Sequence, residues 1–188
     1  MEAFIENTQI DYIRSDSGDI PVISPQKRIK FSDLLAQNRS DIFAALNEHG
    51  ALLFRRFKLN SMADFRSAVE ALSPEDLLDY ENRSTPRTQI ANKVFTSTEY
   101  PAEAVIPSHN ENSYSHSFPN YVYFFCVKSS EEGGQTPIVD NARVFEALHP
   151  DVVELFKRHG VAYVRNYGEV DLPWQEVFNT DSKQQVES

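Results

Sequence analysis

His109 and Glu111 stand two residues apart in "PSHNENSY" (107–114), and their side-chain types are those of a half-built metal site. One imidazole and one carboxylate can take adjacent positions around a ferrous ion. A second histidine would complete a 2-His-1-carboxylate triad, leaving positions open for a co-substrate and O₂. If the segment is extended, the period-two geometry of a strand sends both side chains to one face. A polar loop produces the same pair by accident. Five His and 28 acidic residues in 188 positions give about 0.7 such pairs from composition alone, and the chain holds a second, His149-Pro150-Asp151. That one reads as a helix start, with Pro at the first helical position and an acid complementing the dipole. For His109-Asn110-Glu111 the metal and loop readings both stay open on the pair alone.

Other chemistries lack essential parts. Zinc deaminases pair H-x-E with a downstream P-C-x-x-C, and this chain has one cysteine. The zincin H-E-x-x-H, the nucleophile elbow G-x-S-x-G and the phosphate-binding P-loop are absent. Cys126 lies inside "VYFFCVK" and reads as a small hydrophobe of a core strand. His116 is a pocket or loop residue. Arg83, Thr85, Arg87 and Thr88 form a polar cluster suited to an anion or to plain solvation.

The elements that must position these residues follow from local signals. Residues 1–30 read as an irregular or short-stranded lead-in. "RSDIFAALNEHG" reads as a helix with Ser40 as N-cap and Gly50 as its stop. "ALLFRRF" (51–57) reads as a strand. "SMADFRSAVEAL" opens with Ser61 and Asp64 at capping-box spacing, and Phe65, Val69 and Leu72 repeat at helical intervals. Residues 80–108 form a long polar stretch with short β-prone pieces at 93–97 and 104–106, the kind of irregular segment that tends to carry function. "NYVYFFCVKSS" reads as a strand, Gly133-Gly134 as a turn and Thr136 to Val139 as the returning strand, which together predict an antiparallel hairpin. Two short helices broken at Pro150 and closed by Gly160 follow, then a strand in "VAYVRNY" and a loop around Trp174. Without a βαβ series, a doubly wound sheet is not expected.

The composition is globular: 40% hydrophobic, 12% aromatic, six Gly and ten Pro. A formal charge of −10 disfavours nucleic acid and anionic lipid as partners. The N-terminal residues lack a basic region followed by an apolar stretch, no run approaches a membrane span, and the lone cysteine suits a reducing compartment. A cytoplasmic location is the expectation.

Taken in order, "STPRT", "VFTSTEYPAEAVIPSHNENSYSHSFPNYVYFFCVKSSEEGGQTPIVDNARVFEAL" and "GVAYVRNYGEVDLPWQEVFNTD" resemble the TauD/TfdA family of Fe(II)/2-oxoglutarate dioxygenases. Within it they resemble most the SyrP-type hydroxylases of non-ribosomal peptide biosynthesis. The likeness covers roughly 45–188, and two ordered motifs are far more specific than either alone. It implies one TauD/TfdA-like domain over 1–188, of class α+β or mainly β. The fold implied is an incomplete double-stranded β-helix (a jelly roll like that of clavaminate synthase) with flanking helices.

The resemblance assigns roles residue by residue. His109 and Glu111 match the family's H-x-D/E iron ligands, with Glu in place of the commoner Asp. Thr136, in Gly133-Gly134-Gln135-Thr136, matches the residue that helps hold 2-oxoglutarate, a task a hydroxyl can perform. Arg87, Tyr100, Asn112 and Tyr114 are substrate-side candidates. Fe(II) is the implied metal and 2-oxoglutarate the co-substrate. The substrate is a small molecule, with an amino acid, free or tethered to a carrier protein, suggested by the subgroup. The family's distal histidine and 2-oxoglutarate arginine fall beyond Ser188, and neither His149 nor His159 matches that histidine. A fragment of a longer enzyme is the expectation, with an inactive remnant that acts only through interactions as its rival.

Overall fold

The computed structural model describes residues 5–16, 18–75, 77, 88–91, 93–97, 105–111, 113–115, 118–164, 166–167 and 173–187. The chain divides into two compact units, one of residues 1–76 with 123–129 and one of 77–122 with 130–188.

The first unit is built around a three-stranded sheet. Strands β1 (Thr8–Ile13) and β2 (Ile20–Pro25) pair antiparallel from Thr8↔Pro25 to Ile13↔Ile20, and β2 pairs parallel with β3 (Leu53–Phe54). Helices α1 (Phe31–Gln37), α2 (Arg39–His49) and α3 (Met62–Leu72) complete the unit. Ile5, Ile23, Leu34, Leu35, Ile42, Ala68 and Leu72 form its buried core. Central β2 is the strand with most buried positions, as expected of a strand flanked on both sides.

Local chemistry sets the boundaries. Ser61 Oγ accepts from Asp64 N at 3.1 Å, and the Asp64 carboxylate accepts from Asn60 N at 2.9 Å, so the predicted capping pair opens α3. That bond from the Asn60 backbone, with the one to Ser61, holds the Asp64 carboxyl below its usual range. Gly50 ends α2 at φ +73°, a left-handed conformation that costs other residues energy. Asn38, not Ser40, is the N-cap of α2, because α1 runs directly into it and the Asn38 amide already caps the Leu34 carbonyl at 2.8 Å. Helix α1 itself carried too short a periodic pattern to be foreseen. The Arg39 guanidinium donates to the Leu72 carbonyl at 2.6 Å, tying α2 to the end of α3. Residues 123–129 dock by the Phe65–Phe125 stack, at 5.2 Å between centroids, and by a 2.8 Å bond between Ser73 and the Tyr123 hydroxyl.

Among its described residues, the second unit holds a two-stranded antiparallel pair, β4 (Gln89–Ala91) with β5 (Val94–Phe95), and four helices. These are α4 (Asn141–Ala147), α5 (Pro150–His159), α6 (Trp174–Val177) and α7 (Lys183–Glu187). His149 caps α5, its Nδ1 accepting from Asp151 N at 3.3 Å, and Pro150 sits in the first turn. Lys157, Arg158 and His159 occupy the last turn, where cations complement the dipole.

Several expectations fail here. No strand forms among residues 118–139, so the hairpin ladder is absent, and the described residues of "VAYVRNY" carry no strand either. Among the described residues helix outweighs strand, and the two small sheets account for only a minor part of the double-stranded β-helix that the resemblance implies. The reason is physical: β-propensity records packing on a pleated surface, and these segments have no paired strand to supply one. Phe124, Val127 and Val164 are 73%, 74% and 87% exposed. Cys126 is likewise exposed, not a core-strand residue. The segment around Trp174 is helical instead of a loop. The predicted turn does form: Gly133 and Gly134 both have positive φ, and Ser130 Oγ bonds the Gly133 carbonyl at 2.9 Å.

Candidate functional site

The His109 loop lies in the second unit and is shaped by turn chemistry, not by a strand. Pro107 precedes it, residues 105–110 have no ladder partner, and a turn begins at Glu111. The extended geometry that would put both side chains on one face is therefore not what positions them. His109 Nδ1 lies 2.8 Å from the Pro107 carbonyl oxygen. A carbonyl can only accept, so Nδ1 carries the proton and, in the neutral ring, Nε2 is left with the lone pair. A backbone carbonyl fixing one imidazole nitrogen so that the other can bind a metal is a recurrent feature of metal-ligating histidines. The ring is solvent-exposed, and Glu111 is half-buried.

A long-range contact reaches this loop. Asn141, the first residue of α4, donates its side-chain amide to the Asn110 side-chain oxygen, across 31 residues of sequence. Asn141 is held in turn by its helix. The Asp140 carboxylate accepts from Ala142 N at 2.9 Å and lies 3.5 Å from the Arg143 guanidinium. Neither asparagine stood out in the sequence. Asn110 is the unspecified middle of H-x-E, and Asn141 reads as an ordinary first-turn residue.

The other predicted site residues are placed as follows. Thr136 is exposed, without regular structure, between the Gly133-Gly134 turn and α4. Tyr114 is half-buried in the turn that follows Glu111. Arg87, Tyr100 and Asn112 lie outside the described residues, as do His116, Arg83 and Thr85. Among the described residues no group of three or more His, Cys, Asp or Glu is arranged to hold a metal ion. The donors present are thus an imidazole nitrogen and a carboxylate, a set that suits a ferrous ion. A shallow groove lined by Phe145, Leu148, Pro150, Asp151, Val153 and Lys157 runs between α4 and α5, and none of His109, Glu111 and Thr136 lines it.

Comparison with known proteins brings these observations together. The chain is 42% identical over 144 residues to the dapdiamide synthesis protein DdaC of Enterobacter agglomerans, covering 76% of this chain and 44% of that protein. It is 35% identical over 167 residues to a clavaminate synthase-like protein of Arabidopsis thaliana, covering 84% of this chain and 50% of that one. The chain thus spans about half the length of the curated relatives it matches. The family model for taurine catabolism dioxygenase TauD, TfdA family, matches residues 16–186, a span that takes in both the His109 loop and the Gly133-Gly134 turn. This chain therefore belongs to the TauD/TfdA family, whose clavaminate synthase-like members imply a jelly-roll dioxygenase fold.

Proposed function

We propose that the chain carries part of the active site of a non-haem Fe(II)/2-oxoglutarate-dependent dioxygenase that hydroxylates a small molecule. The observation that carries this reading is the His109 geometry, with Nδ1 committed to the Pro107 carbonyl and Nε2 left for a ligand, two residues before a carboxylate. Donor chemistry supports the fit to Fe(II), since imidazole nitrogen and carboxylate oxygen are both suited to that ion. When bound, iron and 2-oxoglutarate supply O₂ activation coupled to oxidative decarboxylation.

The chain's own residues hold and orient. His109 and Glu111 take the metal, and the Pro107 carbonyl keeps the imidazole in the ligating tautomer. Thr136 offers a hydroxyl to a carboxylate of 2-oxoglutarate, and Arg87, Tyr100, Asn112 and Tyr114 serve the substrate side. The 1–188 span belongs to one domain of this family, a reading supported by a family match that runs through both compact units. The substrate proposed is an amino acid, free or carrier-tethered, in natural-product biosynthesis of the SyrP type. Its support is the likeness to a relative named for dapdiamide synthesis.

The test is 2-oxoglutarate-dependent succinate release with Fe(II), measured for the chain and for His109→Ala. Release that depends on His109 supports the reading, and equal turnover in both proteins sinks it. A second reading, a non-catalytic interaction domain, is favoured by one observation: no three-donor group forms among the described residues. It predicts no succinate release, and no Mn(II) affinity that depends on His109 or Glu111.

A further inference from the structure

The Asn110–Asn141 contact has no part in the metal chemistry proposed above, yet it reaches the residue between the two ligands. Asn110 is bonded to the backbone of both His109 and Glu111, so fixing its side chain limits how far either ligand can swing. The partner is not a loop residue free to follow. Asn141 starts α4, and Asp140 anchors that start by capping Ala142 N and pairing with Arg143. Asn141 also lies five residues after Thr136, on the segment that leaves the Gly133-Gly134 turn.

One side-chain bond thus connects the loop carrying His109 and Glu111 to the segment carrying Thr136. A second bond, from His109 Nδ1 to the Pro107 carbonyl, sets the ring within the loop but does nothing to fix the loop against α4. The Asn110–Asn141 bond does that. We infer that Asn141 is a positioning residue: its amide clamps Asn110 and so holds the two metal ligands in register with the co-substrate segment. This rests on the ligand reading of His109 and Glu111.

The physical expectation is quantitative. Groups that orient metal ligands without touching the metal change affinity by about 10–100-fold when removed. Two residues that act through one bond are also non-additive, because deleting either partner removes the whole interaction. Alanine at position 141 keeps α4, since Asp140 still caps it and Ala is a strong helix former.

The experiment uses the chain with Mn(II) as a redox-silent probe, and backbone amide NMR of the metal-free protein. Asn141→Ala is expected to shift the His109 and Glu111 amides in the metal-free chain while α4 keeps its helical signals. Mn(II) affinity should fall about tenfold or more in Asn141→Ala and in Asn110→Ala. The double variant should bind no more weakly than either single one. Unmoved His109 and Glu111 amides in Asn141→Ala, or additive losses in the double variant, overturn the inference. If His109→Ala binds Mn(II) as well as the unsubstituted chain does, the ligand reading has failed. The clamp is then decided by the metal-free amide shifts alone, which must still appear for it to stand.

Discussion

The two compact units solve the problem of apolar residues differently. In the first, Ile23, Leu34 and Leu35 are at most 1% exposed, and every strand has a hydrogen-bonded neighbour. In the second, β-branched residues of comparable β-propensity such as Ile138, Val139 and Val164 stay in solvent, and the run 130–139 forms no strand. The contrast teaches that propensity is a readiness to pair, not a structure. Ile20–Pro25 becomes a strand because β1 and β3 flank it, whereas residues 134–139 carry the same kind of side chains without a ladder. The candidate metal ligands belong to the second unit, where turns and side-chain bonds shape the loop in place of a sheet.

The largest expected effect sharpens that contrast. Leu34→Ala empties part of a filled core and should cost about 2–5 kcal/mol, while Val164→Ala should change stability by less than about 0.5 kcal/mol. Urea titrations of both variants check this. A comparable loss at Val164 would break the distinction between the units.

The Gly133-Gly134 turn tests a smaller effect. Both glycines have positive φ, but a Cβ on Gly134 meets the Ser130 hydroxyl and one on Gly133 meets open space. Gly133→Ala should cost about 1 kcal/mol from backbone strain alone, and Gly134→Ala should cost more. Denaturation followed by the fluorescence of Trp174, the single tryptophan, compares them within the unit that contains both.

Capping supplies the smallest effect. Ser61→Ala should lower stability by about 1 kcal/mol. The Asp64 carboxyl is held below its usual range by the Asn60 backbone bond and by Ser61. A depressed carboxylate stabilises the folded chain above its unfolded pKa, and that contribution is lost as pH falls through the lower folded value. Asp64→Asn should therefore flatten the acid side of the stability–pH curve, as measured by urea titration at a series of pH values. An acid limb unchanged from that of the unsubstituted chain would remove the assigned role.

What the sequence disclosed follows the same division. Signals that act within a few residues were readable: Ser61 with Asp64, Gly50, the helix start at Pro150 and the Gly133-Gly134 turn all appear as expected. Signals that depend on a distant partner were not. The hairpin over 118–139 is missing because a ladder needs two strands in register, and Asn38 displaced Ser40 as a cap because α1 abuts α2. The candidate site shows both kinds. His109 and Glu111 were legible as a spaced pair beside "GGQT", but the strand expected to align them is a turn. The Asn110–Asn141 bond joins positions 31 residues apart, and no local pattern announces it.

The central claim, that His109 is a metal ligand set up by its own loop, is tested most directly by ¹⁵N NMR of the histidine rings. The chain has five histidines, and His109→Ala assigns the one that matters. The account predicts that His109 carries its proton on Nδ1 in the metal-free chain, and that Fe(II) added without oxygen perturbs its Nε2 first. A proton on Nε2 of neutral His109, or an Fe(II) response confined to the other histidines, would contradict it.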